Sequence, residues 1–349
     1  MKKKSLSAKK KIHNSILKHL SNKKILKVFE EFKNSSNINN KFAVAISGGP
    51  DSLSLAFLSK CLSIINKKKA KFYIVNHNLR KGSLLEAKLV ASKLKKFAIN
   101  CKILNWHGKK PTKNIQSIAR NARYNILRKE CKKNKINQIL IGHQIDDVYE
   151  NFILRLLRGS GLKGLTSFDK VSKYKINDIE ILRPLINVEK KDLIFLSKKV
   201  FNFFVNDPSN LNENFKRIRV RNLLEKLEKE GLDKTKLKLT INNLKDTNDA
   251  INFYVNQNIS KNSKFIKDKN IFILNQKFFK QPHEIVFRAF STLLNLISKK
   301  YYPPRGKKID DLIQNIKFKK IYKKTTLGGC FIEKINKTVL ISREKSHES

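Results

Sequence analysis

FAVAISGGPDSLSLAFL, residues 42–58, is the stretch from which the rest of the chain is read. Its first five residues are apolar without alternation, the pattern of a strand buried on both faces, as in a parallel sheet. Ser47, Gly48, Gly49 and Pro50 break that pattern, and Asp51 and Ser52 open a second apolar run spaced for a helix packed on the sheet. Strand, glycine turn and helix N-terminus together aim backbone N–H groups and the positive end of a helix dipole into one concavity, which is an anion site. Adjacent glycines allow close approach to a phosphate because no Cβ stands in the way. Asp51 either caps the first helical turn or holds a magnesium ion against a pyrophosphate. No GxxxxGK[ST] occurs anywhere in the chain, so the loop is not of the Walker type.

SGGPDS at residues 47–52 resembles the loop of the PP-loop ATP pyrophosphatases. The resemblance implies ATP cleaved between its α and β phosphates, with adenylation of an oxygen and release of pyrophosphate. It also implies the adenine nucleotide alpha-hydrolase-like fold.

A net charge of +48, from 76 basic and 28 acidic residues, points to a polyanionic partner, nucleic acid above all. All but 13 of the basic residues are lysines, so most of the excess is compositional bias. Arginine is the more informative cation, being kept where a planar guanidinium matters. Nine of the 13 (Arg80, Arg120, Arg123, Arg155, Arg158, Arg183, Arg217, Arg219 and Arg221) stand at or beside the motifs below. Cys61, Cys101, Cys131 and Cys330 form no CxxC, which argues against a zinc or iron–sulfur pattern and for reduced thiols in the cytoplasm. No apolar run approaches the ~18–20 residues of a membrane span, and no membrane association is expected. The basic start, MKKKSLSAKKK, lacks a signal-type apolar core and reads as a flexible arm.

Residues 1–40 read as a basic extension carrying one amphipathic helix. Strands are then expected at 42–46, 72–76, 101–106 and 138–142, with helices at 84–97, 115–132, 145–157 and 188–200. Such alternation predicts an α/β fold, a parallel sheet with helices on both faces and ligands beyond the carboxyl ends of the strands. Polar residues collect there. VNHNLR brings His77 and Arg80 to the second strand end, and GHQIDDVYEN brings His143, with Asp146, Asp147 and Glu150 on the following helix. Three carboxylates within one turn repel one another unless a cation or base intervenes. Arg120 and Arg123, three apart in SIARNARYNILR, offer two guanidiniums on one helix face. In LLRGSGLKGL, Arg158 is expected to point inward from a tight glycine loop, and FKRIRVRN supplies Arg217, Arg219 and Arg221.

In this order SGGPDS, VNHNLR, ARNARY, GHQIDDVYENFILRLLRGSGLKGL, RPLI, NDPSN and RIRVRN resemble the tRNA(Ile)-lysidine synthetase family over residues 42–222. Two departures are mild: Asn76 where the family usually shows Asp, and FKRIRVRN where it shows an aromatic-R-N-R run. The resemblance implies ATP-dependent adenylation of the carbonyl oxygen at carbon 2 of the wobble cytidine in a CAU anticodon, followed by attack of the ε-amine of free L-lysine. It makes Asp51, Asp146, Asp147 and Glu150 the catalytic candidates. ATP would be held by Ser47, Gly48, Gly49, Pro50, Asp51, Ser52, His77 and Arg80, with Mg²⁺ on Asp51. The nucleic acid and lysine would meet Arg120, Arg123, His143, Arg158, Arg217, Arg219 and Arg221. Spacing alone assigns the metal and the lysine ammonium to no particular carboxylate.

The ATP-binding domain is expected over 41–225, and 226–349 as a linker helix and a smaller, lysine-rich α+β domain binding tRNA. There the expectations are a helix at 237–259, a strand at 270–274, a helix at 284–297, and short strands near 319–322 and 338–342 around the glycine turn LGGC, with Tyr301, Tyr302 and Arg305 for phosphate contacts and stacking. No protein partner is required by this reading. Rival readings are a PP-loop tRNA thiolase, which needs positioned cysteines, an amide-forming synthetase, which leaves the charge unexplained, and a non-catalytic RNA-binding protein, which has no use for the acids.

Overall fold

The computed structural model describes residues 2–35, 37–79, 82–108, 111, 115–168, 171–174, 179–206, 213–299, 304–318 and 324–344. The chain divides into two compact units, Met1–Lys238 and Leu239–Ser349. The first opens with α1 (Lys2–Lys18), a 3-10 turn (His19–Ser21) and α2 (Lys23–Ser35). It then alternates through β1 (Lys41–Ile46), α3 (Pro50–Ile65), β2 (Lys69–Asn76), α4 (Ser83–Lys95), β3 (Cys101–Asn105), α5 (Ile115–Lys133), β4 (Gln138–Ile141) and α6 (Ile145–Leu156). After α7 (Leu162–Leu165) come β5 (Val171–Tyr174), β6 (Ile179–Leu182), α8 (Lys190–Phe201) and α9 (Lys216–Lys229).

The six strands run in the order β3-β2-β1-β4-β6-β5. Five are parallel, as the alternation requires, whereas β5 pairs antiparallel with β6. That edge hairpin escapes the sequence reading because each strand is only four residues long. Along β1 the side chains divide between two cores. Phe42, Val44 and Ile46 pack with Phe32 of α2, Leu55 and Leu58 of α3, Leu94 of α4 and Leu196 of α8. Ala43 joins Tyr73, Leu104 and Ile139 beneath Leu127 and Cys131 of α5. Both faces are therefore covered, which explains why β1 is apolar from Phe42 to Ile46. In α2 the buried residues are Ile25, Val28, Phe29 and Phe32, a single helical stripe. Burying each is worth about 2 kcal/mol.

Chain order in the sheet reverses between β1 and β4: β2 and β3 follow on one side, β6 on the other. Such a switch point opens a crevice at the carboxyl ends of its two strands. The glycine loop leaves β1 and the acidic helix α6 follows β4, so both sequence motifs flank that crevice.

In the second unit α10 (Lys234–Asn262), which spans the division, leads to β7 (Ser263–Ile266), β8 (Ile271–Leu274), α11 (Gln276–Phe279), α12 (His283–Ser298) and α13 (Gly306–Phe318). It closes with β9 (Thr325–Leu327), β10 (Cys330–Ile335) and β11 (Thr338–Arg343) in an antiparallel sheet, order β7-β8-β11-β10-β9. Phe290, Leu294 and Ile297 of α12 and Ile309, Ile313 and Ile316 of α13 pack on Leu274, Ile332, Val339 and Ile341 of the sheet. The expected glycine turn joins β9 to β10, with Gly328 and Gly329 at φ +66° and +85°. The strand expected at 319–322, and Tyr301 and Tyr302, lie outside the described residues.

Candidate active site

The loop after β1 holds its shape through one side chain. Ser52 Oγ accepts hydrogen bonds from the backbone N–H of Ser47 and of Gly48, both at 3.1 Å, and donates to Gly49 O at 3.0 Å. Gly48 has φ +92°, and a Cβ there would lie 2.9 Å from Val90 Cγ2, so glycine is required on both counts. Its carbonyl accepts from Val205 N at 2.9 Å, fixing the segment after α8 against the loop. Pro50 stands in the first turn of α3, where its fixed φ suits the helix and its missing N–H costs nothing. The first helical hydrogen bond is Leu53 N to Gly49 O (3.0 Å), so the Asp51 and Ser52 amides stay available at the helix start. Behind them, Ser54 Oγ donates to Leu193 O (2.9 Å) and Ser197 Oγ to Pro50 O (2.8 Å), clamping α3 to α8.

β4 ends directly against this loop. A Cβ on Gly142 would come within 3.0 Å of the backbone carbon and oxygen of Asp51. After it, Gln144 caps α6: its Oε1 accepts from Asp146 N (2.8 Å) while Asp147 Oδ2 accepts from Gln144 N (2.9 Å). The capping box engages one oxygen of Asp147 and turns the carboxylates of α6 toward Asp51. Asp51 Oδ1 is buried with no hydrogen-bond partner. Burial, with Asp147 next and Asp146 as a smaller cause, pushes the Asp51 carboxyl up to about 7; Lys190 at the start of α8 and Arg221 oppose the rise. Asp147 is also raised, by burial first, against the pull of Arg217 and Arg221.

Glu150 is differently employed. It is buried at 4% exposure and takes a two-armed ion pair from Arg221 of α9, Nε to Oε1 and Nη2 to Oε2 (3.4 Å). Burial raises its carboxyl, and the guanidinium counteracts that. Asp146 lies 3.7 Å from the ammonium of Lys234, which also meets Glu228 at 2.8 Å. Tyr149 Oη donates to Lys234 O at 3.1 Å, so the start of α10 is tied to α6 beside the acids.

Two histidines complete the group, each receiving an arginine N–H. Arg183 Nε donates to His143 Nδ1 at 3.0 Å, and its guanidinium carbon stands 4.8 Å from the centre of the Phe168 ring. Arg123 Nε donates to His77 Nε2 at 3.3 Å. Burial, then Arg123, lowers His77 to about 4, and burial with Arg183, Arg120, Arg217 and Arg123 holds His143 well below its ordinary value. Arg123 keeps solvent access although desolvation is its largest perturbation, as on the wall of a cleft. At the end of β2, Asn76 is buried: its Nδ2 donates to Asn105 Oδ1 (3.1 Å) and its Oδ1 accepts from Asn78 N (3.1 Å).

The fold thus gathers Asp51, Asp146, Asp147, Glu150, His143, Arg120, Arg123, Arg217 and Arg221 within electrostatic reach of one another, with His77 on Arg123. Arg219 is turned elsewhere: its Nη1 donates to Glu213 O (2.7 Å) and Asn214 O (3.1 Å), bracing the turn before α9. Arg158 is exposed on the turn after α6 and not directed inward, because that turn lies on the surface with Leu156 and Leu157 also exposed. Arg80 and the DPSN portion of NDPSN lie outside the described residues. Lys190, Lys234 and Phe168 were not singled out by sequence, the lysines being hidden in the lysine excess. Arg183 was visible only as an arginine in RPLI.

Residues 17–228 match the PP-loop domain family. The tRNA(Ile)-lysidine synthase of Wolbachia pipientis wMel is 34% identical over 322 residues, 91% of this chain and 74% of the relative. That of Orientia tsutsugamushi (strain Boryong) is 32% identical over 88% of this chain and 70% of the relative. Among solved structures, the U34-tRNA thiolase NcsA from Methanococcus maripaludis shares the fold, with a TM-score of 0.52 at 20% identity over 63% of this chain and 79% of its own. With a glycine loop and an acidic helix flanking one switch point, and this similarity along nearly its whole length, the chain belongs to the tRNA(Ile)-lysidine synthase family of PP-loop proteins.

Proposed function

We propose that this protein forms lysidine, using ATP to adenylate the carbon-2 oxygen of the wobble cytidine in the CAU anticodon of tRNA(Ile) and then joining free L-lysine there, with release of AMP and pyrophosphate. The observation that carries the reading is the meeting of the glycine loop and the acids of α6 across β1 and β4. A ring carbonyl is a poor electrophile, and an AMP ester converts its oxygen into a leaving group. Loop amides and the α3 dipole stabilise the departing pyrophosphate. Asp51 and Asp147 fit a magnesium ion: a buried carboxylate oxygen without a partner, in a site whose acids are held up by burial first and by one another second. Magnesium is bound by one or two carboxylates together with substrate phosphates, and when present would neutralise phosphate charge. Asp146, already beside an ammonium in Lys234, suits the ammonium of substrate lysine. Standing beside that ammonium, Asp146 is placed to take the proton that the attacking amine must lose.

Arg120, Arg123 and Arg217 act on His143, and Arg217 on Asp147 and Glu150 as well; all three suit tRNA phosphates, while the lysine-rich second unit suits the wider tRNA surface. The thiolase reading loses ground because burial pushes the thiols of Cys61, Cys101 and Cys131 up to about 12, so these three hold no thiolate. No helix among the described residues is long and apolar enough to cross a membrane. We place the reaction in the cytoplasm, with its tRNA. Incubating the protein with ATP, radiolabelled lysine and tRNA tests the reading. ATP-dependent label in tRNA supports it, and label that is absent, or indifferent to ATP, overturns it.

A further inference from the structure

His77 and His143 are set by their arginines in opposite ways. An arginine Nε always carries hydrogen, so it donates, and the imidazole nitrogen facing it must present a lone pair. His143 accepts at Nδ1, which leaves its proton on Nε2; His77 accepts at Nε2, which leaves its proton on Nδ1. We propose that Arg183 is a positioning residue that locks His143 as a neutral imidazole protonated on Nε2, so that His143 donates a hydrogen bond to the reacting nucleotide and is not the base that deprotonates lysine. What the donor faces rests on the lysidine-forming reading. The tautomer does not.

Three observations define the lock. Arg183 is 5% exposed, so its side chain has little freedom to leave. Its guanidinium lies over the Phe168 ring, and the His143 ring lies 5.3 Å from the same ring, so one aromatic side chain brackets both partners. Acids of α6 and Asp51 share the crevice with His143, but the largest charged influences on it are Arg183, Arg120, Arg217 and Arg123, which disfavour the imidazolium. A nitrogen that already carries its proton cannot accept another, so Nε2 can only donate. A donor of this kind stabilises negative charge gathering on a phosphate oxygen or on the displaced cytidine oxygen. The proton of the lysine ammonium then goes to Asp146, the carboxylate placed beside it.

The test begins with the free full-length chain, labelled with 15N-histidine, in long-range proton–nitrogen correlation spectra; His143 is assigned from the signals lost in His143→Gln. The expected result is the Nε2–H pattern, unchanged from about pH 6 to about pH 8. A proton on Nδ1, or titration in that range, overturns the proposal. Arg183→Met should release His143 into a tautomer mixture that titrates; an unchanged pattern overturns it. Should that buried variant fail to fold, the wild-type spectrum still decides. Lysidine formation gives a second arm, because a glutamine amide mimics Nε2–H and an asparagine amide mimics Nδ1–H. His143→Gln should stay within about 10-fold of wild type, while His143→Asn and His143→Ala fall by about 100-fold. Equal loss in all three overturns the donor role. A chain that forms no lysidine overturns the reaction assigned here and leaves the spectrum to judge the tautomer.

Discussion

Asp51→Asn exchanges a carboxyl for an amide of the same shape at the start of α3. In the fold this carboxyl titrates near 7, against 3.8 for the ordinary group, because it is buried and faces Asp147 and Asp146. The folded chain therefore binds its proton more tightly than the unfolded chain. Stability is full below about pH 4 and is lost as pH rises through the folded value near 7. About three pH units at ~1.4 kcal/mol each give about 4 kcal/mol lost by pH 8. The asparagine variant escapes that loss, so it should match wild type near pH 4 and exceed it by up to about 4 kcal/mol at pH 8. Urea unfolding of both proteins across this range, with chelator present, gives the difference directly, and effects common to both cancel. Magnesium added to wild type should narrow the gap at pH 8, while the variant forms no adenylated tRNA. A difference that stays flat with pH refutes the argument that Asp51 is a crowded, desolvated acid.

Gly142→Ala places a methyl 3.0 Å from the Asp51 backbone, so strand or loop must shift; a loss of about 1–3 kcal/mol and weaker ATP binding are expected, and unaltered nucleotide affinity counts against the contact. Arg221→Met strands the buried Glu150 carboxylate and should cost about 3–5 kcal/mol in urea unfolding, much of it recovered by adding Glu150→Gln. Affinity for tRNA should fall linearly on a log–log plot against salt, and a flat response would make the charge compositional only. A chain ending at Lys238, the limit of the first unit, should bind ATP and lose most tRNA affinity and selectivity. Retention of both by the folded fragment would remove the second unit from tRNA recognition.

The parts of this molecule legible in its sequence are those that local chemistry determines. β1 is apolar on both faces because both faces are covered, and the double glycine after it marks a turn where Gly48, at φ +92°, has no room for a side chain. The acids of α6 were found by their spacing. Their partners were not, since no period links Glu150 to Arg221, 71 residues later, or His143 to Arg183, 40 residues later. Arg219 shares the spacing of Arg217 and Arg221, yet the turn carbonyls of Glu213 and Asn214 claim it. Lys190 and Lys234 act on the acids through position alone, and composition hides position.

The paired amides at the ends of β2 and β3 bear on how this sequence departs from its family. An aspartate at position 76 would still accept from Asn78 N, but it has no hydrogen to give Asn105. Asn105 can answer by turning its amide over, presenting Nδ2 in place of Oδ1. Because that partner is both donor and acceptor, the site can drift between asparagine and aspartate in a single substitution without a compensating change elsewhere. What the drift alters is charge. The asparagine form removes one buried anion from a strand end beside the nucleotide loop, in an enzyme that on the reading proposed here takes two polyanions, ATP and tRNA.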